Sequence, residues 1–174
     1  MEQRGLVQVF TGNGKGKSTA TFGTVLRAVG HGLKSHIVFF MKGDYPYGEY
    51  NSLRNLPGVS IDIYGYPKLI DPANIKPEEY EQAGAALTAA RKAVSSGDYD
   101  IVVLEEVNVA IAMDMIKLED ILEIIKNKPA QTELILTGRY AKTELLEVAD
   151  LVTEMVKVKH PYDAGVKARR GIEF

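Results

Sequence analysis

The stretch Thr11–Ser18 reads Thr-Gly-Asn-Gly-Lys-Gly-Lys-Ser and holds residue types suited to a chain of phosphates. Glycines let the backbone fold closely around an anion and aim several N–H groups at it. Lys17 supplies a positive charge, and the hydroxyl of Ser18 can ligate Mg²⁺. An apolar run precedes the stretch and a helix-like segment follows it, which is the order of a phosphate-binding loop. The pattern therefore predicts that the chain binds a nucleoside triphosphate.

The loop departs from the usual pattern G-x-x-x-x-G-K-[ST] at one position, because Thr11 stands where the first glycine is expected. The remaining glycines keep the backbone free enough to wrap an anion. The alternative, a glycine-rich hairpin without a ligand, does not explain the Gly-Lys-Ser ending. The candidate nucleotide-binding residues in the loop are Gly12, Asn13, Gly14, Lys15, Gly16, Lys17, Ser18 and Thr19. The loop leaves the reaction open, since kinases, ATPases, GTPases and alkyl-type transferases all use it.

Two adjacent carboxylates, Glu105 and Glu106, follow the apolar run Ile101–Leu104. A phosphate loop needs an acidic group to hold Mg²⁺ or its waters, commonly at the end of a neighbouring buried strand. Because side chains alternate along a strand, we expect only one of the two to face the metal directly. Ser18, Glu105 and Glu106 are thus the candidate ligands for Mg²⁺ or Mn²⁺. The alternative is a solvated acidic start to the next helix.

Guanine recognition is not favoured by the sequence. The guanine-reading motif of GTPases pairs Asn-Lys with an Asp after a strand, whereas Asn127-Lys128 is followed by Pro129 and precedes a strand. The sequence therefore favours adenine or another base over guanine.

The hydrophobic pattern alternates short apolar runs with longer amphipathic ones. Predicted strands are Leu6–Phe10, Ile37–Met41, Val59–Ile63 as an edge or half-exposed strand, Ile101–Leu104 and Leu134–Leu136 in the centre, and a more polar Leu151–Val158. Predicted helices are Ser18–Gly30, Pro77–Ser96, Val107–Asn127 and Lys142–Ala149. This order predicts an α/β fold with a mainly parallel sheet and helices on both faces, a RecA-like architecture of phosphate-loop NTPases in a single domain, residues 1–174. Gly43–Lys76 is predicted to be a long functional loop with one short strand.

Composition narrows the classes of protein further. The chain has 174 residues, is 45% hydrophobic and 25% charged, and carries a formal net charge of −2. That charge gives no support to nucleic-acid binding. The absence of cysteine excludes disulfides and Cys-ligated metals. No apolar run approaches the length of a membrane span and no signal-peptide core precedes the first strand, so we expect a cytoplasmic protein without a membrane partner.

Several segments together resemble one known family, the ATP:corrinoid adenosyltransferases of cobalamin synthesis and salvage, of the phosphate-loop type. The matching segments are Phe10–Thr19, Arg27–Gly32, Phe40–Gly43, Val102–Glu106, Leu136–Arg139 and Val158–Phe174. They run in order through nearly the whole chain, and the family also has Thr at the irregular position of the loop.

The resemblance implies that a corrinoid in its Co(I) form attacks the 5′ carbon of ATP and displaces triphosphate. The protein then needs to position the substrates and stabilise charge on the leaving group, with Lys17 as the central cation. Arg27 and Arg139 fall within the matching segments and are expected to contact the nucleotide. The expected partners are ATP, a reduced corrinoid, a flavoprotein reductant and a second copy of the chain.

Reduction of Co(II) to Co(I) is easier when the lower axial ligand leaves the cobalt, and the family places aromatic side chains in that space. The resemblance puts Tyr66 at one such position and Lys68 where some relatives have Trp. Tyr45, Tyr47 or Tyr64 are the alternatives for this role, and ordinary loop packing is the other interpretation.

Two further functions remain open from the residues alone. One is a small-molecule kinase or ATPase, which would release ADP. The other is a nucleotide switch that binds a protein without turnover. The basic residues Lys167, Arg169 and Arg170 are either a solvated tail or contacts for the amide- or phosphate-bearing arms of a corrinoid.

Overall fold

The computed structural model describes residues 4–43, 45–68 and 70–174. The predicted domain 1–174 also includes the five remaining residues, which lie outside the described part. The strands are β1 (Val7–Thr11), β2 (Ser35–Phe39), β3 (Val59–Ile63), β4 (Ile101–Glu105), β5 (Glu133–Thr137) and β6 (Leu151–Glu154). The helices are α1 (Lys17–Val29), α2 (Gly48–Arg54), α3 (Pro77–Ser96), α4 (Val107–Ala112), α5 (Leu118–Asn127) and α6 (Thr143–Val148), with a 3₁₀ turn at Pro161–Ala164.

All six strands form one parallel sheet in the order β3-β2-β4-β5-β1-β6. The central strands β4 and β5 and the edge strand β3 stand where the hydrophobic pattern predicts them. Strand β5 lies between β1, which leads into the phosphate loop, and β4, which ends in Glu105. Parallel pairing gathers the carboxyl ends of the strands at one edge of the sheet, which is where ligands bind in such folds.

The sheet is covered by helices on both faces, as the sequence predicts. Helices α1 and α2 pack against residues such as Ile37, Phe39 and Val103. Helices α3, α4, α5 and α6 pack against the alternate residues, such as Val38 and Leu104. Alternation of side chains along each strand thus divides the apolar core between two faces. Burial of this apolar surface is the main favourable term for folding.

The prediction of one helix over Val107–Asn127 is wrong, because α4 ends at Ala112 and α5 begins at Leu118. The chain turns at Asp114, whose φ of 53° lies in the left-handed region that Asp tolerates better than most residues. Met115 and Ile116 then enter the core in succession. The burial of these two side chains and the turn at Asp114 are therefore favoured over one continuous helix.

The Gly43–Lys76 stretch is more regular than expected, since it contains α2 as well as the predicted strand β3. The sequence gives little sign of α2, because it has only seven residues and two buried apolar side chains, Tyr50 and Leu53. Among the described helices, none has the length and apolarity that crossing a bilayer requires.

Gly43 joins this stretch to the end of β2. Its N–H donates to the Tyr64 carbonyl oxygen at 3.0 Å, and its φ is 54°. A Cβ at Gly43 would overlap the backbone of Tyr66, at 2.6 Å from the Tyr66 Cα. The absence of a side chain at Gly43 therefore lets the Tyr66 segment lie directly against the end of β2.

We expect Gly43→Ala to destabilise the fold by about 3 kcal/mol, because it adds left-handed strain of about 1–2 kcal/mol and a backbone overlap of similar size. The matched control is Gly84→Ala on α3, where a Cβ meets open space and a gain of up to about 1 kcal/mol is expected. Urea unfolding at neutral pH measures both. Equal midpoints for Gly43→Ala and wild type would contradict the close packing.

Candidate functional site

The phosphate loop, residues 11–18, lies against the chain that follows β6. Gly12 and Gly16 have φ values of 94° and 121°, which only glycine adopts readily. A Cβ at Gly12 would stand 2.5 Å from the Met155 carbonyl oxygen, and one at Gly14 would stand 2.7 Å from it. Gly14 N–H donates to that same oxygen at 2.6 Å. Because Gly12 and Gly14 have no side chains, the loop packs directly against the backbone of Met155.

Helix α1 begins at Lys17, directly after the loop. In the described part of the chain, no side chain caps its first turn and no carboxylate lies within it. The N–H groups of that turn therefore lack a side-chain acceptor, and the helix dipole adds partial positive charge. Both features favour an anion at this position.

Lys17 is buried in the loop. Its Nζ donates to the carbonyl oxygens of Gly12 and Gly14, each at 2.8 Å. Burial lowers the pKa of Lys17, an effect that Glu106 opposes and that the positive charge of Arg139 reinforces. The ammonium keeps a donor beyond the two carbonyls, since it has three.

Glu105 is the most connected charged residue of the site, and its side chain is fully buried. It accepts hydrogen bonds from the hydroxyls of Ser18 and Thr137, the latter at 2.5 Å, and from Lys42 Nζ at 2.9 Å. Burial alone would raise the pKa of Glu105, but the Lys42 ammonium and the two hydroxyls outweigh it and lower that pKa. Glu105 is therefore ionised and held by three side chains.

The Glu106 side chain has a different environment from that of Glu105, as the alternation of side chains along a strand predicts. It follows β4 with a φ of 63°, its N–H donates to Thr137 Oγ1 at 2.9 Å, and it lines a cleft. Burial and the neighbouring charge of Glu105 raise the pKa of Glu106, against the attraction of Lys42 and Lys17. The two carboxylates thus have opposite electrostatic environments.

The cleft has a volume of about 690 Å³ and opens at the carboxyl edge of the sheet. Loop residues 14–19 form one wall, and residues 171–174 of the chain terminus form another. Lys42, Glu106 and Arg139 also line it. Cations from three separate elements therefore face one space beside the phosphate loop, a suitable setting for a bound polyphosphate.

Comparison with known proteins agrees with this geometry. The profile of the family described as ATP:corrinoid adenosyltransferase BtuR/CobO/CobP matches residues 3–174. The chain belongs to this family.

Individual relatives extend the comparison. The corrinoid adenosyltransferase of Escherichia coli K12 is 39% identical over 173 residues, covering 99% of this chain and 87% of that protein. The one named CobA from Salmonella typhimurium is 38% identical with the same coverage, and that of Pseudomonas aeruginosa is 38% identical over 99% of this chain and 85% of its own. A solved KaiC-like protein from Pyrococcus horikoshii shares the fold, with a TM-score of 0.50, 13% identity, and coverage of 87% of this chain and 73% of that one.

The structure brings most of the predicted nucleotide residues together, but not Arg27. Arg27 is exposed in the last turn of α1 and does not line the cleft. It lies ten residues beyond Lys17, about 15 Å along the helix at about 1.5 Å per residue. Its contact with a nucleotide stays a prediction. Gly12 and Asn13 lie in the loop without lining the cleft, whereas Gly14–Thr19 and Arg139 line it.

Tyr66 lies at the same edge of the sheet, beside the end of β2, but outside the cleft lining. Lys68 Nζ stands 5.6 Å from the centre of the Tyr66 ring and 3.4 Å from Glu79 Oε1. Lys68 is thus tied to α3 through an ion pair.

Two site residues were missed by the reasoning from sequence. Lys42 lies beyond the end of β2 and Thr137 is the last residue of β5, and both lie in segments on which the family resemblance rests. Their position within those segments is the sequence signal that could have identified these two residues. A lone Lys or Thr after a strand indicates no chemistry by itself, and only the tertiary contact with Glu105 gives each a role.

The opposite pKa shifts of the two carboxylates predict opposite effects on stability, without nucleotide or divalent cation. A carboxyl with a raised folded-state pKa contributes stability that is lost as the pH rises through that pKa. We therefore expect Glu106→Gln to be more stable than wild type at pH 8. The difference should shrink below about pH 4, where the carboxyl is protonated in both states.

Glu105→Gln is the paired variant, expected to lose about 3 kcal/mol at pH 7 because it leaves Lys42 without its partner. A carboxyl with a lowered pKa contributes stability that is lost as the pH falls through that pKa, so this deficit should shrink in acid. Thermal unfolding from pH 3 to pH 8 measures both. Effects of the same sign at pH 8 would refute the assignment.

Proposed function

We propose that the chain transfers the 5′-deoxyadenosyl group of ATP to the Co(I) of a reduced corrinoid in cobalamin synthesis or salvage, and that it releases triphosphate. Co(I) supplies the electron pair of the new cobalt–carbon bond, and the bond from C5′ to the phosphate oxygen breaks with its electrons on triphosphate. No proton transfer is required. Membership of the family over residues 3–174 carries the proposal. The cleft beside the phosphate loop, lined by Lys17, Lys42 and Arg139, supports it.

In this proposal the protein acts mainly on the leaving group. Lys17, Arg139 and the first turn of α1 surround the position where negative charge grows on the triphosphate. Fixed donors in a partly enclosed site stabilise such charge without reorganising during the reaction. Lys42 lines the same cleft and adds a fourth source of positive potential.

The residues present fit a Mg²⁺ ion bound together with ATP. Among the described residues, no cluster of three or more acidic or histidine side chains could hold a metal alone. Mg²⁺ usually takes one or two protein oxygens and completes its shell with phosphates and waters. Ser18 and Glu106 both line the cleft, and their side chains carry the oxygen ligands that Mg²⁺ prefers. Bound there, the ion would neutralise charge on the phosphates.

Glu105 serves this arrangement through Ser18. The Ser18 hydroxyl donates its hydrogen to Glu105, so both hydroxyl lone pairs remain free for a cation. Glu105 itself already accepts three hydrogen bonds. We assign it the role of orienting Ser18, while Glu106 is the carboxylate nearer the metal.

Other parts of the proposal rest on the family resemblance. They are a wedge role for Tyr66 at the lower face of the corrinoid, a flavoprotein reductant and a homodimer. The proposed cytoplasmic location and single domain rest instead on the length and composition of the chain. Tyr66 has some structural support, because its segment packs against the end of β2 at the ligand edge of the sheet.

The products of the reaction test the function. The protein is incubated with ATP and chemically reduced cobalamin, with and without Mg²⁺, and the cobalt–carbon bond is followed by absorption. We expect adenosylcobalamin and one triphosphate per turnover, with strong dependence on Mg²⁺. ADP would indicate a kinase or ATPase, and nucleotide binding without turnover would indicate a switch.

Lys17→Ala is expected to lower transfer from ATP by about 10²–10³-fold, because removing one such charge-stabilising donor costs about 3–4 kcal/mol. The matched control is Lys126→Ala on α5, an exposed lysine outside the cleft lining. Single-turnover rates with pre-formed Co(I) make the comparison. Near-normal rates in a folded Lys17→Ala protein would remove Lys17 from the mechanism.

Tyr66→Ala should impair turnover that starts from Co(II) with a mild reductant far more than turnover from pre-formed Co(I). An aromatic wedge acts on the reduction step, which pre-formed Co(I) bypasses. Tyr66→Phe keeps the ring and should behave as wild type in both assays. Equal losses for Tyr66→Ala in the two assays would mean that the side chain only packs the loop.

A further inference from the structure

A second cavity, of about 300 Å³, adjoins the cleft and shares Gly14, Lys15, His160 and Glu173 with it. We call it the basic annex. Its lining comes from Gly14 and Lys15 of the phosphate loop, the segment 156–161 after β6, and Arg169 and Glu173 near the chain terminus. Neither the proposed reaction nor the family comparison assigns it a role.

The charge around the annex is concentrated. Residues 157–170 contain five lysines and arginines and one carboxylate, in a chain whose formal net charge is −2. Lys15, Lys157, Lys159 and Arg169 all line the annex, with Glu173 as the acidic side chain among the lining residues. The positive potential of the protein is therefore gathered next to the phosphate loop.

The ion pairs of the annex leave part of this charge unbalanced. Glu173 is shared, since it contacts Arg169 at 2.9 Å and Lys15 at 3.2 Å. Lys157 pairs with Asp163 at 2.9 Å. Lys159 has neither a hydrogen bond nor an ion pair with any described residue. The four lining cations thus share two carboxylates, Glu173 in the lining and Asp163 outside it, and Lys159 is the one without a partner among the described residues.

We propose that the basic annex binds a phosphate group of a substrate, beside the anion position at the start of α1 and with Gly14 and Lys15 of the phosphate loop in its lining. Lysine and arginine side chains converging on a concave surface are the usual recognition of phosphate. This inference rests on the proposed function, in which two substrates carry a suitable phosphate group. One is the phosphodiester in the nucleotide arm of a corrinoid, whose other side chains are neutral amides, and the second is the end of the ATP triphosphate.

Lys159 is the residue to test, because its substitution breaks no hydrogen bond or ion pair with a described residue. An exposed charge pair changes affinity by about two- to fivefold. Lys159→Gln should therefore weaken phosphate binding by about that factor, and Lys159→Glu by about its square. Both effects should shrink in high salt. Lys126→Glu is the matched control, an exposed lysine on α5 outside both cavities.

The experiment measures equilibrium binding, so it does not depend on transfer activity. The probes are cobalamin, cobinamide, which lacks the nucleotide arm and its phosphate, and inorganic tripolyphosphate. If the annex binds the corrinoid phosphate, the Lys159 variants bind cobalamin more weakly than wild type and bind cobinamide equally well. If the annex binds the nucleotide, the variants bind tripolyphosphate more weakly and bind both corrinoids as wild type does.

Three results would overturn the proposal. Equal weakening of cobalamin and cobinamide would show that Lys159 senses the corrin ring or the fold. No change with any probe, or changes matched by Lys126→Glu, would leave the annex without a ligand. If the wild-type protein binds none of the probes, the annex is likewise left without a ligand. A wild-type protein that binds cobalamin and tripolyphosphate but forms no cobalt–carbon bond would instead refute only the proposed function.

Discussion

The buried carboxylate of Glu105 is the constraint on which the rest of the site depends. It stands at the end of β4 and joins Ser18 of the phosphate loop, Lys42 beyond β2 and Thr137 at the end of β5. A charge removed from water is costly unless it is paired and hydrogen-bonded. Each of these contacts reduces that cost, and together they fix three strand ends and the loop in one arrangement. Such a pair contributes little net stability, but it specifies geometry.

This arrangement also separates the tasks of the two carboxylates. Glu105 spends its hydrogen-bonding capacity on protein groups, whereas Glu106 is turned to the cleft by a left-handed backbone. Once Glu105 is neutralised by Lys42, the cleft lining holds the cations Lys15, Lys17 and Arg139 and the carboxylates Glu49, Glu106 and Glu173. Fixed cations beside the first turn of α1 suit a departing triphosphate and are consistent with a reaction that needs no general base.

The sequence predicted those features that depend on local patterns. The phosphate loop, the buried strands and Pro77–Ser96 follow from spacing and capping, and the structure agrees. The break at Asp114 and the helix α2 were not predictable, because each is decided by burial against distant elements. The contacts of Glu105 with Lys42 and Thr137 span 63 and 32 residues, so no local pattern could reveal them.

Residues 169–174 show how the cleft can accept anions although Lys15 of the phosphate loop is already paired. Lys15 Nζ donates to the Ile172 carbonyl oxygen at 2.9 Å and to Glu173, and the Phe174 ring packs 5.8 Å from Tyr45. Hydrogen bonds from Arg169 lower the pKa of Glu173 to about 2, so this carboxylate remains charged. Exposed pairs of this kind are weak. The terminal phosphate of a triphosphate carries more charge than a carboxylate, so it can compete with Glu173 for Lys15.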